Sequence, residues 1–369
     1  MHSRDPSAQI QHRQQALLAS LGALVPFMQQ RATGHDQAGT FPAEDIEALR
    51  AIGALAAPVP TPLGGLGLGT EPEAALPLMD ALGLLGRGNL SVGRLFEAHV
   101  NALRLIDRHG TQAQARQAAD DALSGHLFAL WVTDPPGAPL TIAADGSLQG
   151  GKSPCSGAGH ATRALVTAGD TMRVIELAPG TGADLSHWDA HGMRASVSGA
   201  MDLTGLPAGA PLGAPGDYLR QPDFSAGAWR SSAVTLGGME ALAGTLRETL
   251  ATRGRDADPH QRARIGHALI ALETARLWVR RAALIGEATG GDPDDTANTV
   301  NLARLAVEAA CLDLIRITQR ALGMSAFRRG TLTELLFRDL QMYLRQPAPD
   351  ETLTEAAAHF TRRDLPALT

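Results

Sequence analysis

Near the start of the chain, Leu17, Leu18, Leu21, Leu24, Val25 and Met28 recur at three- and four-residue steps, the period of an amphipathic helix. A second helix is predicted at Phe41-Pro-Ala-Glu-Asp-Ile-Glu-Ala-Leu-Arg50, whose first turn carries the proline and acidic residues that suit a helix N-terminus. Pro58 to Gly69 is a Pro/Gly-rich connection. Helical spacing then runs from about Pro72 to Leu123, with breaks near Gly86 to Gly88 and at Gly110. From about Gly125 to Gly216 the apolar runs shorten to Leu127–Val132, Ala164–Ala168, Arg173–Leu177 and Met193–Leu203, separated by Gly, Pro and Asp. Along Arg194-Ala-Ser-Val-Ser198 polarity alternates, which predicts a half-buried strand. From about Phe224 the helical period returns. Ile265, Leu269, Leu272, Ala275 and Val279 mark one stripe, and Leu302, Leu305, Ala309, Leu312 and Ile315 another. The expected fold is α+β and mostly α: an N-terminal helical domain over 1–122, a small middle β-domain over 123–222 and a C-terminal four-helix bundle over 223–369.

Composition narrows the function. A formal charge of −6 on 369 residues offers no basic field for nucleic acid, and an aromatic content of 4% offers no base-stacking surface. Two cysteines, Cys155 and Cys311, make no disulfide framework and fit a reducing compartment. The first residues are polar, and no apolar run approaches the roughly 18 residues that span a bilayer, so a cytoplasmic protein without membrane insertion is expected. The twelve histidines fall into no metal-ligand spacing.

Two short segments carry the candidate chemistry. Phe128-Ala-Leu-Trp-Val-Thr-Asp-Pro-Pro136 reads as a buried strand delivering the Thr133 hydroxyl to its end. Lys152-Ser-Pro-Cys-Ser-Gly-Ala-Gly-His160 reads as a glycine-relieved turn that presents Ser156. Hydroxyls and backbone N–H groups on a rigid sheet suit the edge of a flat, heteroatom-rich cofactor. Cys155-Ser156 with His160 lacks the Gly-x-Ser-x-Gly context of a hydrolase. Gly65-x-Gly67-x-Gly69 lacks the preceding strand of a dinucleotide fingerprint.

Helices, a small β-domain and a helical bundle, in that order, resemble the acyl-CoA dehydrogenase family. So do Phe41-Pro…Pro62-Leu-Gly-Gly-Leu-Gly-Leu-Gly69, Trp131-Val-Thr-Asp-Pro135, Trp188-Asp…Gly192-Met-Arg194, and Gln319…Gly323 followed by Arg338-Asp339. The resemblance covers roughly residues 15 to 360. It implies FAD contacts at Trp131, Val132, Thr133, Cys155 and Ser156, with Arg253, Gln319 and Gly323 on the ADP side across a subunit interface of a homodimer or homotetramer. It further implies oxidation of the CH–CH group of an acyl thioester such as an acyl-CoA, or of a related small carbonyl substrate, by hydride transfer to flavin N5. The electron acceptor is left open.

The same resemblance exposes departures. The family's base is a Glu soon after the Arg-Asp pair; by count, Pro347 stands there, between Gln346 and Ala348. Pro154 replaces the tryptophan that shields the flavin. Substitute bases are Glu97, Asp350 and Glu351. Glu97 and Asn101 share a helix face, and His99 points about 160° away at 100° per residue; a paired carboxylate and a packing histidine are the plainer readings of Glu97 and His99. Relatives that lack the Glu because they activate dioxygen make a flavin monooxygenase or oxidase the alternative function. A catalytically silent family member used as a binding or assembly module is the third.

Overall fold

The computed structural model describes residues 6–367. Helices α1 (Pro6–Ala38), α2 (Ala43–Ala51), α3 (Ala75–Gly88), α4 (Leu90–His109) and α5 (Gln112–Leu123) come first. Asn89 ends α3 and caps α4, its side chain accepting from the Ser91 N–H at 2.9 Å. Thr111 and Gln114 form a capping box that starts α5.

The strands β1 (Phe128–Trp131), β2 (Thr141–Ile142), β3 (Leu148–Gln149), β4 (Gly151–Cys155), β5 (Arg163–Ala168), β6 (Thr171–Glu176), β7 (Ala183–Asp184), β8 (Gly199–Asp202) and β9 (Pro211–Leu212) follow. They pair as β1-β5-β6-β9, β4-β8-β7 and β2-β3. Among these strand pairs of the described residues, β1 with β5 is the parallel one. Trp131, Leu140, Leu148, Cys155, Val166, Ile175 and Met201 fill the space between these sheets.

The chain then returns to helix: α6 (Asp223–Ala226), α7 (Ala228–Thr252), α8 (Pro259–Glu287), α9 (Pro293–Leu322), α10 (Leu332–Tyr343) and α11 (Pro349–Phe360). Asp258 and Asp292 cap α8 and α9, each followed by proline at the first helical position. Helices α7 to α10 pack as a bundle. Leu49, Leu78, Leu82 and Phe96 from the first helices share one core with Met239, Leu242, Val279, Val300 and Leu340 from the last. Helices α3 and α7 touch through glycines on both sides. A Cβ on Gly86 would lie 2.0 Å from the Val234 carbonyl oxygen, and one on Gly237 would lie 1.9 Å from that of Gly83.

One predicted strand is not a strand. Residues Arg194–Ser196 form a 3-10 turn between Met193 (φ 54°) and Val197 (φ 41°), both left-handed. The polarity alternates because Arg194 reaches out to the Asp36 carbonyl while Ser196 folds its hydroxyl back onto the Met193 carbonyl at 2.7 Å. Local side-chain bonding of this kind competes with a ladder. No helix among the described residues is long and apolar enough to cross a membrane.

Candidate functional site

The ends of β1 and β4 open onto a cleft of about 480 Å³ between the sheets and helices α4, α7 and α10. Val132 and Thr133, just past β1, line it together with Pro154 and Ser156 from the end of β4. Three contacts hold these two segments side by side. The Ser153 N–H donates to the Thr133 carbonyl at 3.0 Å, and the Trp131 indole donates to the Ser156 carbonyl at 3.0 Å. Lys152, the only lysine in the sequence, is buried and donates to Asp134 (2.5 Å), the Val132 carbonyl (3.3 Å) and Thr167 (3.1 Å). A buried ammonium is tolerable only with such a set of acceptors.

The opposite wall is charged. Arg94, Glu97 and Asn101 occupy one face of α4 and line the cleft. Glu97 is buried and accepts from both Arg94 and Asn101. Asn101 in turn accepts from Arg230 at 2.7 Å, and Arg230 and Arg104 share the buried carboxylate of Glu287. Asp223 meets Arg108 at 3.0 Å and Arg104 at 3.9 Å. Glu97 and Asp223 are the carboxylates on the cleft wall among the described residues, and each is ion-paired. Tyr343 lies beside them with its hydroxyl buried and unpartnered; burial, then the nearby Glu97 charge, raises its pKa and keeps it protonated.

The turn at 193–198 completes the wall with Met193, Ser196 and Ser198. It is clamped from behind. Asp339 on α10 accepts from the Met193 N–H at 2.6 Å, and burial pushes its carboxyl up to about 7. Its neighbour Arg338 binds Asp36 (2.7 Å) and the His191 carbonyl (2.7 Å), and Gly192 packs directly against the Arg338 carbonyl.

Residues 13–126, the span of α1 to α5, match the family described as acyl-CoA dehydrogenase, N-terminal domain. Over the whole chain the fold is that of butyryl-CoA dehydrogenase from Megasphaera elsdenii, with a TM-score of 0.81 at 19% identity, covering 95% of this chain and 98% of that one. The family match thus covers the N-terminal helices, and the whole chain shares the acyl-CoA dehydrogenase fold. The similar sequences and structures include enzymes of another chemistry. An L-evernosamine nitrososynthase of Micromonospora sp. is 28% identical over 371 residues, spanning 87% of this chain and 83% of its own. A structure described as KijD3 in complex with FMN and dTDP-3-amino-2,3,6-trideoxy-4-keto-3-methyl-D-glucose superposes with a TM-score of 0.79 at 23% identity, covering 98% and 96%.

The cleft departs from the acyl-CoA dehydrogenase pattern at the position where the resemblance expects a base. Pro347 and Gln346 line the cleft there, with Tyr343 and Arg345 beside them. Asp350 sits exposed in the first turn of α11 and Glu351 follows it; neither lines the cleft. Of the residues singled out in the sequence, Glu97, Val132, Thr133 and Ser156 meet around one space. Trp131 stands behind that space, and the Cys155 thiol turns into the apolar interior between the sheets, where burial raises its pKa. Arg253 donates to Ser325 at 2.8 Å and Gly323 ends α9 (φ 61°); with Gln319 they belong to the end of the bundle and none lines the cleft. His99 is a packing residue: one ring nitrogen meets the Leu55 carbonyl at 2.8 Å, the other accepts from the Phe128 N–H at 3.0 Å, and burial lowers its pKa to about 4.

Sequence reasoning missed Lys152, Arg94, Arg230, Ser196, Ser198 and Asp339 as parts of this site. Two signals were present. A single lysine stands inside a strand, and an acid stands on the apolar face of α10 among Leu335, Leu336 and Leu340.

Proposed function

We propose that the cleft binds a flavin and that the protein is a flavin-dependent monooxygenase acting on an amine nitrogen of a small polar substrate such as a nucleotide-linked amino sugar. The observation that carries this reading is the absence of a free carboxylate on the cleft wall among the described residues. Dehydrogenation of an acyl thioester needs a base poised against a weakly acidic α-proton. Pro347 has no proton acceptor, and Glu97 and Asp223 are committed to arginines.

The residues present fit the cofactor. Thr133 and Ser156 offer hydroxyls on adjacent sheet ends, and the space between the walls is open rather than filled by the protein's own side chains. A bound reduced flavin would supply two electrons to dioxygen, one oxygen atom going to the amine nitrogen and the other leaving as water. The chain's own groups bind and orient. Thr133 and Ser156 hold the ring edge, the Arg94–Glu97–Asn101 row presents a polar face to a sugar, and Arg345, exposed at the rim, exchanges its ion-pair partner Glu308 for an anionic group such as a phosphate. Tyr343 donates to a substrate oxygen. The nitrososynthase relative and the amino-sugar ligand of the superposed structure support this reading over the CH–CH dehydrogenase.

The test is product mass. Protein supplied with reduced flavin, ¹⁸O₂ and a nucleotide-linked amino sugar is expected to yield a product containing one or more labelled oxygens. Unlabelled substrate, together with anaerobic bleaching of the flavin by butyryl-CoA, would overturn the proposal in favour of dehydrogenation.

A further inference from the structure

Behind Ser156 stands a row of hydroxyls with a defined direction. Ser198 Oγ donates to Ser156 Oγ at 3.1 Å, and Ser196 Oγ lies 2.8 Å from Ser198 Oγ. A hydroxyl has one proton to give. With that of Ser198 spent on Ser156, the bond between Ser196 and Ser198 takes the Ser196 proton. Ser196 shares that proton with the Met193 carbonyl at 2.7 Å, an oxygen already served by the Ser196 N–H at 2.9 Å. The row therefore runs from Ser196 through Ser198 to Ser156. Among the described residues Ser156 Oγ has no other hydrogen-bond partner, so its own proton is left for the cleft it lines. Each bond polarises the next, and a hydroxyl that accepts in this way is a stronger donor.

The row does not wander. Ser196 and Ser198 are buried, and they sit on the turn whose left-handed Met193 is held by Asp339.

We infer that Ser196 and Ser198 are positioning residues that fix Ser156 as a hydrogen-bond donor toward the cleft, so that the site favours a ligand edge offering a lone pair over one offering an N–H. This rests on the flavin reading above. An oxidised flavin has a lone pair at N5 and a reduced flavin carries N–H there, so the protein holds the oxidised form more tightly. Preferential binding of the oxidised form lowers the potential of the bound flavin, which suits passing electrons on to dioxygen.

The experiment uses FMN as the probe and the full chain. Affinities for oxidised FMN and for anaerobically reduced FMN are measured for the wild type, Ser198→Ala, Ser198→Thr and Ser156→Ala, with the midpoint potential of each complex. Ser198→Ala is expected to lower the preference for oxidised FMN by about tenfold, the worth of one hydrogen bond, and to raise the potential by ~30 mV. Ser198→Thr keeps the hydroxyl and returns both values toward the wild type. Should Ser198→Ala fail to fold, Ser196→Ala is expected to shift both in the same direction by less. An unchanged preference in the Ser198 and Ser196 variants, with Ser156→Ala still weakening FMN, overturns the relay and leaves the flavin site standing. No effect of any of these variants, Ser156→Ala included, overturns the relay and the flavin site together.

Discussion

Thr133 and Ser156 carry different consequences from the residues around them. Replacing both, as Thr133→Val with Ser156→Ala, removes two donors from the proposed ring edge without disturbing the β1–β4 contacts, which use the Thr133 and Ser156 carbonyls. Flavin affinity is expected to fall by about ten- to a hundredfold at one hydrogen bond each, with melting temperature unchanged; fluorescence titration measures the first and thermal melts the second. Asp339 acts on folding as well as on position. Its carboxyl is raised to about 7 by burial, while in the unfolded chain it titrates near its ordinary value of about 4. Between those values the folded protein holds a proton that the unfolded chain releases. Its contribution to stability therefore declines as pH rises through that window and levels off above it. Asp339→Asn keeps an oxygen for the Met193 N–H and removes this slope. Melting temperature plotted from pH 4 to pH 7 should be flatter for the variant than for the wild type; parallel curves would show that Asp339 does not titrate there.

Among the elements, the helices were legible because their apolar period repeats over several turns and their ends carry caps. The breaks at Gly86 to Gly88 and Gly110 fall at the boundaries of α3, α4 and α5. The Arg194–Ser198 turn was not legible, since five alternating residues satisfy a strand pattern and a local hydroxyl-bonded turn equally well. In the site, the motif segments located Thr133 and Ser156, and helical spacing located the shared face of Glu97 and Asn101. What joins them was hidden, because Lys152, Arg230 and Asp339 act across long sequence separations through contacts that only the packed chain creates. The crossing of α3 and α7 makes a sharp prediction of its own. Gly86→Ala forces a methyl into the Val234 carbonyl and should destabilise by about 1–3 kcal/mol. Gly83→Ala one turn earlier meets nothing closer than 4.0 Å and should stabilise by roughly 0.5–1 kcal/mol through helix propensity. Urea melts of the two variants check both signs.

For the molecule as a whole, the helices from both ends of the chain build one core, and the sheets lean against it. The cleft lies along that seam, where α4, α7, α10 and the ends of β1 and β4 each contribute one wall or one edge. The acyl-CoA dehydrogenase fold thus supplies an open space between its walls, and on the reading proposed above the same space holds a flat ring without dictating what the ring does. The chemistry turns on what the walls present. Here they present paired arginines, an uncharged Tyr343 and Pro347, in place of an unpaired carboxylate. Reduced flavin held in such a cleft should meet oxygen productively. The most direct measurement is stopped-flow mixing of the anaerobically reduced flavin–protein complex with oxygenated buffer, with and without a nucleotide-linked amino sugar. Rapid reoxidation, coupled to consumption of the amino sugar, is the predicted result. Slow reoxidation that is indifferent to the amino sugar, in a complex that butyryl-CoA reduces readily, would contradict the account.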